Sequence, residues 1–424
     1  METCRLIPLA SVVTPATLSV VSKISNEISQ QQVPSIDFRN LNYMTNMPPG
    51  IQQTDGKPVQ YSYVGPSRAV ESIVEFVTAN GELVRVQPPY TNASWIQEFN
   101  GPTLRCGSID SPLQDAIKQN IARAVFEQKN ECNSWSFLAW NPIANSANIS
   151  LPFVKSGNAS WALDIVSDDP TAFESQPRDP FQLFMVSMPD ALTTWLTGSH
   201  TITEVCSNLL SPVATVDKIA DVIFSNLTMT QCRVLNATYE TTFNYVNGAQ
   251  DITTNIISID ETPLRSTHWV FGPAYSAVDG TKFAAPSCSV LNQGNGDEYG
   301  ESNRCDFEEG LLSTLSYQAV AQALFDRIVG AVWAEQAGTV ATFDTSVANT
   351  MLVNTPELNH LTKPIPGTEG RSAGSLQAAA LATNGSMYDG LYKNLTESLS
   401  PLGPLMEKLF GYSVVSMISS STLQ

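Results

Sequence analysis

Positive charge is scarce in this chain of 424 residues: 22 Lys and Arg stand against 40 Asp and Glu, for a net charge of −18. No run of Lys and Arg occurs, so the basic patch that nucleic acid or an anionic membrane surface requires is missing. Charge of either sign is sparse, at 15% of residues. Ser, Thr and Asn are abundant instead, an uncharged polar surface common among secreted proteins. The three histidines, His200, His268 and His360, lie far apart, with no H-E-x-x-H and no Cys at metal spacing, and are read as structural or exposed. No two cysteines form C-x-x-C, which removes zinc and thioredoxin-type readings. No stretch reaches the roughly 18 consecutive apolar residues of a membrane helix. The opening METCRLIPLASVV, with one Arg and a short apolar run, is too weak for a signal peptide.

An apolar fraction of 42% supports a real core, and the length fits two domains or one large one with insertions. Seven cysteines occur, of which Cys106, Cys132, Cys206, Cys232, Cys288 and Cys305 are disulfide candidates; Cys4 is the seventh. Cys288 and Cys305 bracket a polar Gly-rich loop and make the best local pair, while the connectivity of the others is not deducible from sequence. Glycosylation sequons stand at Asn92, Asn148, Asn158, Asn226, Asn236, Asn384 and Asn394. Composition alone would scatter roughly five in such a chain, so their placement at loops and solvent faces carries more than their number.

The strongest local signal runs from Cys232 to Asp260. Leu235, Ala237, Tyr239, Phe243 and Tyr245 share one parity, while Asn236, Thr238, Glu240, Thr242 and Asn244 take the other. Such alternation marks a half-buried strand, and Asn247-Gly248 accepts the positive φ angles of a tight hairpin turn. The wet face includes the Asn236 sequon.

Elsewhere, the pattern predicts a strand over Val33–Phe38 and a helix from Pro66, with Ala69, Val70, Ile73, Val74 and Val77 as its stripe and Gly81 past its end. Glu82–Gln87 and Ser94–Phe99 read as strands. Ser111-Pro112 opens a second helix through Leu113, Ile117, Ile121 and Val125, with Gln114 placed for a capping box. Trp135–Trp140, Asn148–Val154, Ser160–Val166, Gln182–Met188 and Thr267–Phe271 read as further strands. Helices are expected over Val213–Phe224, Leu311–Glu335, Ala373–Leu381 and Pro404–Ile418, and mixed strand and turn over 336–366.

An internal echo links Asn92-Ala-Ser-Trp-x-x-x-Phe-Asn100 to Asn236-Ala-Thr-Tyr-x-x-x-Phe-Asn244 in type and strand phase. One reading is two diverged copies of a helix–strand–strand–helix unit; the other is that Asn-Ala-Ser/Thr before an aromatic is a common strand entry. The expected organisation is an extended lead-in (1–32), a first α+β lobe (33–200) and a second (201–424) containing the hairpin and the long helix. The fold class is α+β, with largely antiparallel strands and several packed helices.

Motifs for chemistry are weak. Gly370-Arg371-Ser372-Ala373-Gly374 matches a nucleophile elbow, but a loop precedes it and no His follows. Asp297, Glu298, Glu301, Asp306, Glu308 and Glu309 crowd one loop without EF-hand spacing, and read as a solvated acidic loop. No dinucleotide fingerprint or phosphate-cradling loop is present.

Several ordered blocks, VPSIDF (33–38), FNGPTLRC (99–106), CRVLNATYETTFNYVNG (232–248), LSYQAVAQALFDRIVGAV (315–332) and LMEKLFGYSVVSMISS (405–420), resemble the large non-cytosolic region of a family of fungal multi-pass membrane proteins of unknown function. Some members carry a formylmethionine-deformylase-like label, for which this chain holds no metal-site motif. The resemblance implies an extracellular or luminal domain with glycans and disulfides, held between membrane helices outside this chain, and brings no catalytic residues. The family's flanking membrane helices are absent here, so the chain is expected to be an excised ectodomain or a stand-alone relative.

The expectation is therefore a non-enzymatic surface or sensor-like domain, most readily at the plasma membrane. It binds an unknown ligand or cell-wall component, with no cofactor, metal or nucleic acid. The rival is a hydrolase whose site is assembled from distant residues. Seven free thiols in a cytosolic protein form a third reading.

Overall fold

The computed structural model describes residues 32–47, 59–127, 134–142, 151–155, 161–163, 178–188, 224, 227–266, 269–272, 309–334, 341–361 and 401–423. All its helices and strands lie in one compact unit, Pro34–Gln424. The strands are β1 (Met44–Met47), β2 (Val59–Pro66), β3 (Ala93–Ser108), β4 (Ser134–Trp140), β5 (Phe153–Lys155), β6 (Trp161–Leu163), β7 (Gln182–Ser187), β8 (Thr228–Val246), β9 (Ala249–Asp260), β10 (Trp269–Gly272), β11 (Gly330–Ala334) and β12 (Ala341–Asp344). The helices are α1 (Arg68–Asn80), α2 (Ser111–Glu127), α3 (Glu309–Phe325) and α4 (Leu402–Ser416), with short 3-10 turns between. The fold is α+β, and every strand pairing among the described residues is antiparallel.

A seven-stranded sheet forms the frame, in the order β12-β11-β4-β7-β8-β3 with β9 also on β8. The 19-residue β8 serves two partners along one edge, β7 over Thr228–Arg233 and β9 over Asn236–Val246, while β3 runs along the other edge throughout. Strands from both expected lobes, 33–200 and 201–424, thus share one sheet. The two echo segments prove to be neighbours within it, β3 lying antiparallel on β8. One is flanked by α1 and α2, the other turns directly into β9, so their surroundings differ.

The sheet's middle is covered on both sides. Phe137, Ala139, Leu183 and Met185 join a large cluster with α1, α3 and α4, including Val74, Leu324 and Phe410. The alternate residues Leu138, Trp140, Phe184 and Val186 pack with Ile117 and Ile121 of α2. Strict alternation of this kind buries both faces of a strand.

Local chemistry explains most elements. The stripe Val70, Ile73, Val74 and Val77 is fully or nearly buried, and Gly81 closes α1 with its N–H donating to Val77 O at 2.8 Å. Gln114 forms no capping box: its side chain donates to Ile109 O at 2.6 Å, and its own N–H bonds Asp110 O. The long helix expected over Leu311–Glu335 ends at Phe325, and Gly330–Ala334 is a strand of the sheet. Gly330 makes the break, with φ of 132° and no room for a Cβ against the Asp344 carbonyl. Neither Val33–Phe38 nor Glu82–Gln87 joins a ladder. In the second, Val84 N–H donates to Ser416 Oγ and Val86 N–H to Gln250 Oε1, so distant side chains satisfy backbone that alternation assigned to a sheet. The expected helices over 213–224 and 373–381 lie outside the described residues, Phe224 apart.

Candidate functional site

The hairpin β8–β9 closes through Asn247 (φ 54°) and Gly248 (φ 78°), the pair of positive angles a tight two-residue turn demands. Asn92 Oδ1 accepts from the Asn247 N–H at 2.7 Å, and Gly248 N–H donates to Thr91 O at 2.8 Å. The turn is therefore tied to the start of β3, and β9, β8 and β3 form one ribbon. Trp95 stacks on Phe243 with centroids 4.8 Å apart, and Phe99 on Tyr239 at 5.2 Å. The echo is thus a local two-fold relation: each segment's first aromatic faces the other's second. These rings, with Tyr245, fill the buried side of the ribbon.

Its other side is open. Three rows cross the strands in register: Asn100–Thr238–Ser258, Glu98–Glu240–Asn255 and Ile96–Thr242–Thr253. Ser94, Asn244 and Asp251 extend them toward the turn. In the first row Thr238 Oγ1 donates to Asn100 Oδ1 at 3.0 Å and receives Ser258 Oγ at 3.1 Å, a hydrogen-bond line across all three strands. The outer positions Ser94, Ile96, Glu98, Asn100, Asp251, Thr253, Asn255 and Ser258 are exposed. With strand spacings of about 4.8 Å and a rise of about 3.3 Å per residue, the face measures roughly 20 Å by 10 Å. It bears carboxylates, amides and hydroxyls and no Lys or Arg. Glu98 and Glu240 stand directly opposite one another, a placement that opposes strand pairing electrostatically.

Beyond the open face, Cys106 and Cys232 are joined by a disulfide between β3 and β8. The outward Cys106 N–H donates to Glu407 Oε1 of α4 at 2.8 Å, and Arg105 pairs with Oε2 of the same carboxylate at 3.3 Å. Pro102, within β3, sits where its missing N–H would have pointed away from β8, and its carbonyl takes the Tyr239 hydroxyl at 2.7 Å. A buried tyrosine layer lies beside this end. Tyr317 donates to Asn236 Oδ1 at 3.0 Å, and Phe38 packs between Tyr43 and Tyr317. Burial pushes the Tyr43, Tyr239 and Tyr317 hydroxyls far above the ordinary phenol range, so all three stay neutral.

Of the sequons, Asn92 is exposed at the turn end of the open face, and Asn236 is half-buried at its opposite end. Asn148, Asn158, Asn226, Asn384 and Asn394 lie outside the described residues. So do Cys132, Cys206, the expected pair Cys288 and Cys305 with the Gly-rich loop between them, His200, His268 and Ser372. His360 sits in a 3-10 turn, Asn359–Leu361. Among the described residues no group of three or more His, Cys, Asp or Glu is placed to hold a metal, and no helix is long and apolar enough to cross a membrane.

The open face was only half visible in sequence: the polar parity of β8 was read, but its neighbours Glu98, Asn100 and Asn255 were not. The echo held the missing signal. With Trp95 opposite Phe243, the same register eleven residues along each strand sets Cys106 opposite Cys232. The disulfide itself fits an oxidising, non-cytosolic compartment. No protein-family model, curated protein or solved structure matches the chain.

Proposed function

We propose that the chain is a non-enzymatic domain of the outer or luminal face of a fungal membrane protein, and that it binds a cell-wall polymer through the open face of β9, β8 and β3. One observation carries this reading: the face is open and, Ile96 apart, polar, with acceptors and donors repeated along it and no cation. Repeated hydroxyls, amides and carboxylates in register suit a linear ligand rich in hydroxyl groups. The carboxylates of Glu98, Glu240 and Asp251 favour a neutral or amino-bearing polysaccharide and disfavour an anionic one. The cross-strand disulfide supports an oxidising environment, and the resemblance to fungal ectodomains supports the wall as the place where such polymers occur.

Co-sedimentation with insoluble chitin, chitosan and β-glucan tests the proposal. The chain should pellet with at least one of these, and Thr242→Arg, which places bulk and positive charge mid-face, should abolish pelleting of a neutral or cationic polymer while leaving the fold intact. No pelleting with any polymer, or equal pelleting by the variant, overturns it.

A further inference from the structure

The outer edge of β9 is a second surface, distinct from the open face, and it has the marks of a joint. β9 is 12 residues long, and no strand pairs with its outer side among the described residues. Its side-chain hydrogen bonds go elsewhere: Gln250 Oε1 takes the Val86 N–H, Thr254 Oγ1 meets Thr241 Oγ1 at 3.1 Å, Ser258 Oγ donates to Thr238 Oγ1, and Asp260 Oδ1 takes the Thr262 N–H. Counting from the two-residue turn, hydrogen-bonded and non-hydrogen-bonded pairs alternate, leaving the backbone N–H and C=O groups of Gln250, Ile252 and Thr254 directed away from β8. Proteins blunt such edges with Lys, Pro or inward charges. β9 has none of these, only a bulge at Ile257, where the register with β8 shifts. Ile256 and Ile257 stand 40% and 55% exposed there.

We propose that this edge pairs with the same edge of a second copy of the chain, antiparallel about a two-fold axis, to make one continuous sheet across the dimer. The argument for a second copy is the strand's own sequence, Asp251-Ile-Thr-Thr-Asn-Ile-Ile-Ser-Ile-Asp260, whose three outer positions at each end mirror one another about a central Thr254–Ile257 segment that does not. Laid antiparallel about its centre, it sets Ile252 opposite Ile259, Thr253 opposite Ser258 and Asp251 opposite Asp260. The faces agree for the outer pairs: Ile252 and Ile259 both pack toward the core, whereas Thr253 and Ser258 both lie on the open face; at the centre, beside the bulge, Asn255 and Ile256 take opposite faces. An isologous contact requires a self-complementary strand of this kind, and a partner of unrelated sequence does not. The exposed Ile256 and Ile257 fall near the axis, where they cover one another. The two Asp251–Asp260 pairs and the chain's negative charge oppose the contact, so salt strengthens it.

Sedimentation velocity of the full chain, from low to high micromolar concentration and at low and high salt, tests the joint. A reversible monomer–dimer equilibrium, tighter at high salt, is expected. Ile257→Lys places charge beside the axis, and Thr254→Pro removes an outward N–H while keeping the backbone bonds to β8. Thr254→Val, which loses the same hydroxyl contact to Thr241 at 3.1 Å but keeps the N–H, is its control and should dimerise as the wild type does. Ile257→Lys and Thr254→Pro should each raise the dissociation constant by at least about tenfold, with the circular dichroism spectrum unchanged. Val246→Lys, an exposed apolar position beside the turn (57%), adds the same charge off the joint and should leave the equilibrium in place. A monomer under all conditions, open-ended polymers, or a dimer that survives both edge variants overturns the proposal.

Discussion

The two halves of the β3–β8 ribbon share the same strands and one unbroken register, yet they differ in what covers them. Around Gly101–Leu104 and Cys232–Leu235 nearly every residue is buried, because α4 and its neighbours wrap the strands there. From Thr238 to Asn244 only the aromatic side is covered, and the other is open. Strand chemistry does not set this difference, since both halves pair residue for residue. The difference lies in the helices: α4 docks on the first half through Glu407 and Gly403, whose missing side chain lets it approach Cys106. A face left open beside a stretch of the same strands that helices cover is the place to look for a partner.

Neighbouring residues on the two faces give the sharpest break. Phe243→Ala removes a fully buried ring stacked on Trp95 and should cost about 3–5 kcal/mol, while Thr242→Ala, one residue away on the open face, should stay within about 0.5 kcal/mol. Urea unfolding of the two variants measures both. Similar losses for the two would mean that the open face is covered after all.

The covered half is also stapled. Opening the Cys106–Cys232 bridge, which closes 126 residues of chain, should cost roughly 2–5 kcal/mol. The paired Cys106→Ala, Cys232→Ala variant and the reduced wild-type protein should melt together and below the oxidised form. Equal melting of oxidised and reduced protein would remove the disulfide from the argument, and with it the oxidising compartment. Glu407→Ala acts on the same half at smaller scale. It strips the acceptor from the Cys106 N–H at the strand edge, and about 1 kcal/mol should be lost. Glu407→Gln, which keeps an oxygen there, should recover most of it in the same unfolding experiment.

Legibility followed the same divide. Alternation was plain over Leu235–Tyr245, where one face is wet, and the Asn247-Gly248 turn fixed the hairpin. It was silent over Gly101–Leu104, where both faces are buried and a Gly-Pro pair conceals a strand that tolerates proline at its outer edge. α1 was readable from its stripe and Gly81. The strand β11 was not, because Ala331, Val332 and Trp333 continue the apolar run of α3 and only Gly330 marks the break. Glu82–Gln87 has strand-like alternation, but its partners are the side chains of Ser416, Gln250 and Tyr245, which no local pattern announces. The open face needs the pairing of β3 with β8, and the echo of Asn92–Asn100 in Asn236–Asn244 reflects that pairing.

The smallest effect bears most directly on the open face. Glu98 and Glu240 oppose each other across β3 and β8 with no cation on that face to relieve them, a placement that works against pairing. Glu240→Gln removes the repulsion and should raise stability by a few tenths of a kcal/mol, with the gain shrinking as salt screens the wild-type pair. If the carboxylates serve an amino-bearing polymer, the same substitution should weaken its binding, so stability and binding move in opposite directions. A position where a more stable residue is a poorer one is what function at the expense of packing looks like. If Glu240→Gln instead leaves polymer binding unchanged, the acidic pair is only an unrelieved cost of the fold. Recognition would then fall to the uncharged line of Asn100, Thr238 and Ser258.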